Sequence, residues 1–292
     1  MEGAMEAPTP VVLPNSEQLY MKSIQDETYL IQMSWPLSWP KGRFHEGSAP
    51  IIYIVDGNAL FLTATEAAWR RAAESRFVGG IVVAIGYPLS GKLYDSKRRS
   101  LDLTPPTATP IPGFGGADAF LDFIADVVKP HVTARFPHIS LSREALYGHS
   151  YGGLLALHTL FTRTQLFDCY IASSPSVWWN DHCILGVART FLRQDQPSDT
   201  TPPSLMVFWG SFEQDPPQWD DESLDQFESR KHIASIFRTR EHSIQICEML
   251  RGSHHLKTVF MHEFEGEEHT SVMAGSMARG LTEFFENWPS QG

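Results

Sequence analysis

The sequence predicts an α/β fold in which helices cover both faces of a mostly parallel central sheet. Short apolar runs rich in β-branched residues alternate with longer segments of helical periodicity along the chain, a pattern typical of such sheets. Some runs, such as Ile81–Ile85, are apolar throughout, which indicates strands buried on both faces. Because no loop marks a change of composition, we expect the 292 residues to form a single domain, 1–292.

The period of the apolar residues places the individual elements. Strands are predicted at Tyr29–Met33, Ile51–Val55, Ile81–Ile85, Ala145–Gly148, Tyr170–Ala172, Leu205–Trp209 and Thr258–Glu263. Helices are predicted at Leu60–Arg76, Asp118–Phe136, Gly152–Phe161, Cys183–Arg193, Ile244–Leu250 and Val272–Trp288. Pro130 should kink the second helix because proline has no N–H to donate.

Four segments are expected to lie outside these elements. The N-terminal residues 1–18 should be flexible. Loops are predicted at Leu101–Gly116, Gln194–Pro203 and Phe212–Gln226, which are rich in proline, glycine or acidic residues. The acidic stretch Asp215–Glu228 is interpreted as a solvated lid or loop face.

The composition excludes several classes of partner. With 23 Lys and Arg against 34 Asp and Glu, the formal net charge is −11, which argues against nucleic acid as the main partner. Cys169, Cys183 and Cys247 are widely spaced, so neither a zinc site nor a disulfide framework is predicted. The sequence shows no leader with basic and apolar regions and no N-x-S/T sequon. It also shows no apolar run of membrane-spanning length. We therefore expect a cytoplasmic protein without a membrane partner. The sequence does not determine its oligomeric state.

A candidate nucleophile lies in the segment Gly148-His149-Ser150-Tyr151-Gly152, which matches G-x-S-x-G. The match gains weight because a predicted strand precedes it and a predicted helix follows it. A serine on such a sharp turn exposes its Oγ near the positive end of the helix dipole. The alternative is a glycine-rich turn whose serine only caps the helix. We predict that Ser150 is the nucleophile.

The base and the acid should follow the nucleophile in the order acid, then histidine. His269 lies after the last predicted strand and before the terminal helix, where such a base is expected. The positions of the other candidates are less suitable: His149, His254, His255 and His262. The acid should follow Leu205–Trp209, where Glu213 is favoured over Asp215 because it lies nearer the strand end. A Ser–His dyad without an acid stays open as an alternative.

The oxyanion hole needs two backbone N–H donors. We assign one to Tyr151, which follows the nucleophile, and the other to Asn58 in the turn after Ile51–Val55. Gly57 is expected to supply the permissive backbone of that turn.

No metal or cofactor is predicted. His262–His269 does not match H-E-x-x-H and spans a strand and a loop. Gly113–Gly116 has no strand before it, so it is not a dinucleotide fingerprint.

With these residues assembled, the chain resembles the enterobactin-esterase branch of the "putative esterase" α/β-hydrolases, which also contains esterase D-like enzymes. The resemblance extends from about Tyr29 to Trp288. It is carried by the segments Ile54–Gly57, Ile85–Tyr87, Arg98–Pro105, Gly148–Gly153, Ala172–Trp179, Gly210–Glu213 and Glu268–His269. The Arg-Arg and Ser-Pro-Ser-Val-Trp-Trp segments are more specific than the serine motif and resemble siderophore trilactone hydrolases.

The resemblance implies an α/β-hydrolase fold and a serine esterase that cleaves carboxylic ester bonds of a siderophore, iron-loaded or iron-free, for intracellular iron release. A fusarinine-type hydroxamate is favoured over a catecholate; a generic carboxylesterase and an acyltransferase are the alternatives. Arg98 and Arg99 are candidates to orient an anionic or carbonyl-rich ligand, unless they are ordinary surface arginines. Trp178 and Trp179 are candidates to wall the pocket, unless one of them belongs to the core.

Overall fold

A computed structural model describes residues 9–39, 47–74, 79–195 and 200–286. Within these residues the chain forms an eight-stranded sheet in the order β1-β2-β4-β3-β5-β6-β7-β8. The strands are β1 (Ser16–Lys22), β2 (Thr28–Ser34), β3 (Gly47–Val55), β4 (Ile81–Gly86), β5 (Ile139–His149), β6 (Cys169–Ser173), β7 (Ser204–Gly210) and β8 (Thr258–Phe264). β1 pairs with β2, and β2 with β4, in antiparallel fashion. The other strand pairs are parallel.

Helices connect the strands and cover both faces. They are α1 (Gly57–Ala72), α2 (Ser96–Asp102), α3 (Ala117–Phe123), α4 (Lys129–Arg135), α5 (Tyr151–Thr162), α6 (Trp179–Leu192), α7 (Leu224–Phe237), α8 (Thr239–Leu250) and α9 (Val272–Glu286). None of the helices in the described ranges is both long and apolar enough to cross a membrane.

The side chains of β3 show how the sheet divides the core. Ile51, Tyr53 and Val55 pack with α3, α4, α5, α6 and α8 on one face. Ile52 and Ile54 pack with α1 and α9 on the other. Successive side chains of a strand point to opposite faces, so an uninterrupted apolar run fills two cores at once. The predicted α/β architecture is confirmed.

Two elements in the first part of the chain were not predicted: a strand near the N-terminus and a short helix after β4. Ser16–Lys22 forms the edge strand β1, which extends into the segment 1–18 expected to be flexible; residues 1–8 lie outside the described part. β1 has no fully buried side chain, so its apolar signal is weak. Arg98 and Arg99 belong to the short helix α2, whose first turn is capped by the Asp95 carboxylate.

The predicted helix Asp118–Phe136 is helical over almost its whole length but is not a regular α-helix throughout. A single π-helical turn, Ile124–Val128, separates α3 from α4. Pro130 follows this turn and cannot donate an i→i−4 hydrogen bond, which is consistent with a break in the regular helix. Parts of three predicted elements lie outside the described residues: the helix end at Arg76, the helix end at Trp288 and residues 196–199 of the loop Gln194–Pro203.

The prediction of a loop over Phe212–Gln226 is wrong at its C-terminal end, as is the interpretation of Asp215–Glu228 as loop throughout. α7 begins at Leu224 behind a capping box: the Ser223 Oγ accepts from the Gln226 N–H, and the Gln226 Oε1 accepts from the Ser223 N–H. Only Ala234 of α7 is buried. The acidic stretch therefore ends in an exposed helix.

Candidate active site

Ser150 lies on the sharp turn between β5 and α5. Its backbone has φ 60° and ψ −117°, a strained conformation for a non-glycine residue. The turn depends on two neighbouring glycines, because a Cβ on Gly148 would lie 2.1 Å from the carbonyl oxygen of Gly152. A Cβ on Gly152 would lie 2.8 Å from Cγ2 of Val55. The motif is thus a strand-to-helix elbow rather than an ordinary cap.

Glu213 and His269 form a hydrogen-bonded pair. The Nδ1 of His269 lies 2.7 Å from Oε2 of Glu213, and because an ionised carboxylate only accepts, Nδ1–H is the donor. The other oxygen, Oε1, accepts from the Ser174 hydroxyl at 2.5 Å and from the Gly210 N–H at 2.8 Å. Glu213 is buried, whereas the His269 side chain is 45% exposed. This arrangement leaves Nε2 of His269 available for proton transfer.

Asp215, the alternative acid, lies elsewhere. Its side chain is exposed and forms an ion pair with Arg240. Arg240 also binds Glu263 at 2.6 Å, so Asp215 belongs to a surface ion-pair group. Of the two candidate carboxylates, the structure brings only Glu213 to His269.

Two serines contact these groups although the sequence analysis gave them no role. The Ser176 Oγ lies 3.4 Å from the Ser150 Oγ, and the Ser176 N–H donates to the Ser150 carbonyl at 3.2 Å. Ser174, which holds Glu213, has φ 43° directly after β6. Both belong to the Ser-Ser-Pro-Ser segment that carried the family resemblance, and that segment was their only sequence signal.

The two assigned oxyanion donors lie at helix starts. Tyr151 is the first residue of α5 and Asn58 the second of α1, where backbone N–H groups have no intrahelical acceptor and the helix dipole is positive. The Asn58 side chain braces its turn, since Oδ1 accepts from the Tyr87 N–H at 2.7 Å and Nδ2 donates to the Tyr87 carbonyl at 3.0 Å. These positions suit oxyanion stabilisation.

The expected role of Gly57 needs correction. The left-handed residue of the turn is Asp56, with φ 56°, and not Gly57. Glycine is required at position 57 for space, because a Cβ there would lie 2.9 Å from the backbone of Ile85.

Arg98 and Arg99, predicted to orient the ligand, are already engaged by carboxylates. The Arg99 guanidinium binds both oxygens of Asp56, with Nη2–Oδ2 at 2.9 Å and Nε–Oδ1 at 3.1 Å. Arg98 pairs with Glu27 at 2.7 Å. The Arg99 guanidinium lies 5.5 Å from the centre of the Tyr151 ring, so it supports the wall of the site. Both arginines therefore have carboxylate partners in the structure, and their role toward a ligand stays a prediction.

The two tryptophans differ in burial and in their aromatic partners. Trp179 is 5% exposed and its ring centre lies 6.2 Å from that of Phe114. Trp178 is half-buried, stacks on Phe237 at 4.3 Å with an interplanar angle of 8°, and lies 6.1 Å from Tyr151. Trp178 and Phe237 thus extend an aromatic wall from the residue after the nucleophile. Sequence reasoning missed Phe237 and Phe114, which come from distant segments.

The described residues contain no group of three or more His, Cys, Asp or Glu side chains arranged to hold a metal ion. Cys169, Cys183 and Cys247 are free thiols.

A family model described as "Putative esterase" matches residues 26–268. The chain belongs to this esterase family. The esterase is 62% identical over 285 residues to the siderophore triacetylfusarinine C esterase of Aspergillus fumigatus, covering 97% of this chain and 98% of that relative. It is 41% identical over 271 residues to the siderophore enterobactin esterase of Emericella nidulans, covering 88% and 89% of the two chains.

A solved structure extends the comparison to the fold. The siderophore hydrolase EstB from Aspergillus nidulans superposes on the esterase with a TM-score of 0.93 at 52% identity, over 97% of this chain and 99% of that one. The predicted family and the α/β-hydrolase fold are confirmed, and the protein is an enzyme that acts on ester bonds.

Proposed function

We propose that this esterase hydrolyses the ester bonds of a fusarinine-type hydroxamate siderophore through an acyl-enzyme on Ser150. The 62% identity with the triacetylfusarinine C esterase over 97% of the chain is the observation that carries the substrate class. The hydrogen bond between Glu213 and His269 supports the mechanism.

The reaction would proceed in two displacement steps. The Ser150 Oγ attacks the ester carbonyl while Nε2 of His269 takes its proton, and Glu213 stabilises the resulting imidazolium. The N–H groups of Tyr151 and Asn58 hold the oxyanion. Collapse breaks the C–O bond, and the imidazolium gives its proton to the leaving alcohol. Water then attacks the acyl-enzyme with His269 again as base, which releases the carboxylic acid and restores Ser150.

Charge supports a hydroxamate over a catecholate. Three singly charged hydroxamates balance ferric iron, so the ferric complex is neutral, whereas three doubly charged catecholates leave it strongly anionic. Arg98 and Arg99, the cations expected to attract an anion, are paired with Glu27 and Asp56. Trp178 and Phe237 offer instead an aromatic surface, which suits a neutral ligand.

We place the reaction in the cytoplasm, where cleavage of an iron-loaded siderophore would weaken its hold on the metal. The three free thiols suit a reducing compartment.

The test is a substrate panel: fusarinine-type and catecholate trilactones, each ferric and iron-free, beside a short-chain aryl ester. Mass spectrometry of the linear products gives kcat/KM for each substrate in the wild-type enzyme and in Ser150→Ala. We expect the fusarinine-type trilactones to be cleaved fastest and Ser150→Ala to be inactive.

Three results would contradict the proposal. A higher kcat/KM for the catecholates would reverse the substrate class, and cleavage of the aryl ester alone would indicate a generic carboxylesterase. Transfer of the acyl group to an added alcohol in preference to water would indicate an acyltransferase.

A further inference from the structure

His149 lies one residue before Ser150, at the end of β5, and is 6% exposed. Its ring centre is 4.5 Å from that of His269, with the two planes inclined at 46°. The ring of His149 therefore packs against the ring of the proposed base.

A buried chain of hydroxyl groups orients the His149 ring. Nδ1 lies 3.1 Å from the Ser173 Oγ, Ser173 lies 2.9 Å from the Ser276 Oγ, and Ser276 lies 2.8 Å from the Tyr147 hydroxyl. The Ser276 hydroxyl also donates to the Met273 carbonyl at 3.2 Å, which ties this chain of hydroxyl groups to the main chain. The His149 ring is thus held in place through Nδ1.

The loop that carries His269 is anchored on both sides of that residue. Before it, the Glu267 carbonyl accepts from the Phe212 N–H at 3.0 Å. After it, the Ser271 N–H donates to the Glu268 carboxylate at 2.9 Å. Between these anchors, Glu213 holds the ring of His269 by a hydrogen bond, and the His149 ring packs against that ring.

We propose that His149 is a positioning residue, whose ring fixes the ring of His269 so that Nε2 is held for proton transfer with Ser150. The role rests on the proposed function, because it requires His269 to be the base. It needs an uncharged His149, since a cation in ring contact would oppose the imidazolium that forms on His269 during attack. Burial, together with the charges of His269 and Arg99, lowers the pKa of His149 well below its ordinary value.

The test compares four variants with the wild-type enzyme on an aryl ester, so that the result does not depend on the siderophore. His149→Ala removes the ring that packs against His269, and His149→Phe keeps an aromatic ring but loses the hydrogen bond to Ser173. Ser173→Ala removes only the partner of Nδ1. The control is His158→Ala on α5, a histidine that is equally buried and hydrogen-bonded to Asp118 at 2.9 Å. Covalent titration with a fluorophosphonate counts the competent sites in each preparation.

We expect kcat per titrated site to fall about 10²-fold in His149→Ala, as for a misplaced catalytic group, with KM nearly unchanged. His149→Phe should recover part of this loss because its ring can still pack against His269, Ser173→Ala should show a smaller loss, and His158→Ala should match the wild type. A purely structural role would reduce the number of titrated sites but not the turnover of each.

Wild-type kcat per site in His149→Ala would overturn the positioning role; if that variant does not fold, unchanged turnover in Ser173→Ala would do so. An equal loss in His158→Ala would also overturn it, because any buried histidine would then have the same effect. Activity retained in Ser150→Ala would instead overturn the proposed function together with this role. Turnover lost in Ser150→Ala but kept in His149→Ala would overturn the positioning role alone.

Discussion

Two parts of the candidate site, called here its hydrogen-bonded side and its aromatic side, are held by different forces. On one side, Glu213 is buried and accepts three hydrogen bonds, one of them from His269. On the other side, Trp178 stacks on Phe237 at the end of α7, a helix with only Ala234 buried. Hydrogen bonds fix atoms to within tenths of an ångström, whereas an aromatic surface can adapt to a bulky ligand. Changes on the first side should therefore alter kcat, and changes on the second should alter KM.

The largest effect should come from the nucleophile. Ser150→Ala removes the attacking oxygen and should lower kcat on the order of 10⁵- to 10⁶-fold. Ligand binding and the circular-dichroism spectrum should be nearly unchanged, because the substitution deletes one half-buried hydroxyl. Ser235→Ala on the exposed α7 is the matched control and should retain full activity. Substantial turnover by Ser150→Ala would mean that another group attacks the ester.

The next test separates the two acidic residues. Glu213→Gln should lower kcat roughly 10³- to 10⁴-fold, because an amide no longer fixes the tautomer of His269 or stabilises its charge. Asp215→Asn should have little effect, since it breaks only an exposed ion pair with Arg240. Steady-state kinetics of both variants on one ester decide the matter. Equal losses would remove Glu213 from the triad and favour a Ser–His dyad.

The hydrogen-bonded side could be predicted from the sequence to a large extent. Ser150, Glu213 and His269 each follow a parallel strand, and the carboxyl ends of such strands meet at one edge of the sheet. Once β5, β7 and β8 are recognised as apolar runs, topology predicts that the three residues lie at one edge of the sheet, and the contact between Glu213 and His269 agrees with this.

The aromatic side and its charges could not be predicted in the same way. The partner of Arg99, Asp56, is 43 positions away, and a local motif does not show that an arginine is already paired. Phe237 meets Trp178 only through the course of α7. That helix has one local signal, Ser223-x-x-Gln226, and the surrounding acidic charge obscured it.

His149 should also make the hydrogen-bonded side sensitive to acid. Burial first, then the charges of His269 and Arg99, hold its pKa well below 6.5 in the folded protein. The unfolded chain takes up a proton as the pH falls through about 6.5 while the folded ring stays neutral, so unfolding becomes easier. The stabilising effect of the neutral His149 ring is fully present above about pH 6.5. It is lost as the pH falls toward the lower pKa that His149 has in the folded protein. The slope should approach about 1.4 kcal/mol per pH unit.

Urea unfolding measured from about pH 7 to about pH 5 tests this expectation. His149→Phe has no such group, so its free energy of unfolding should decrease less with acidification than that of the wild type. Parallel curves for the two proteins would show that His149 does not remain neutral in the folded state.

The smallest effect should come from the aromatic side. Phe237→Ala removes the ring stacked on Trp178, and such pairs contribute about 0.5–1.5 kcal/mol beyond the buried area. If bound siderophore uses this surface, its KM should rise about twofold to tenfold, with kcat unchanged. The control is Leu224→Ala at the other end of α7, where the side chain is 64% exposed. A fall in the kcat of Phe237→Ala on the aryl ester would contradict the expectation that the aromatic side affects only KM. It would show that the aromatic side also positions the reacting groups.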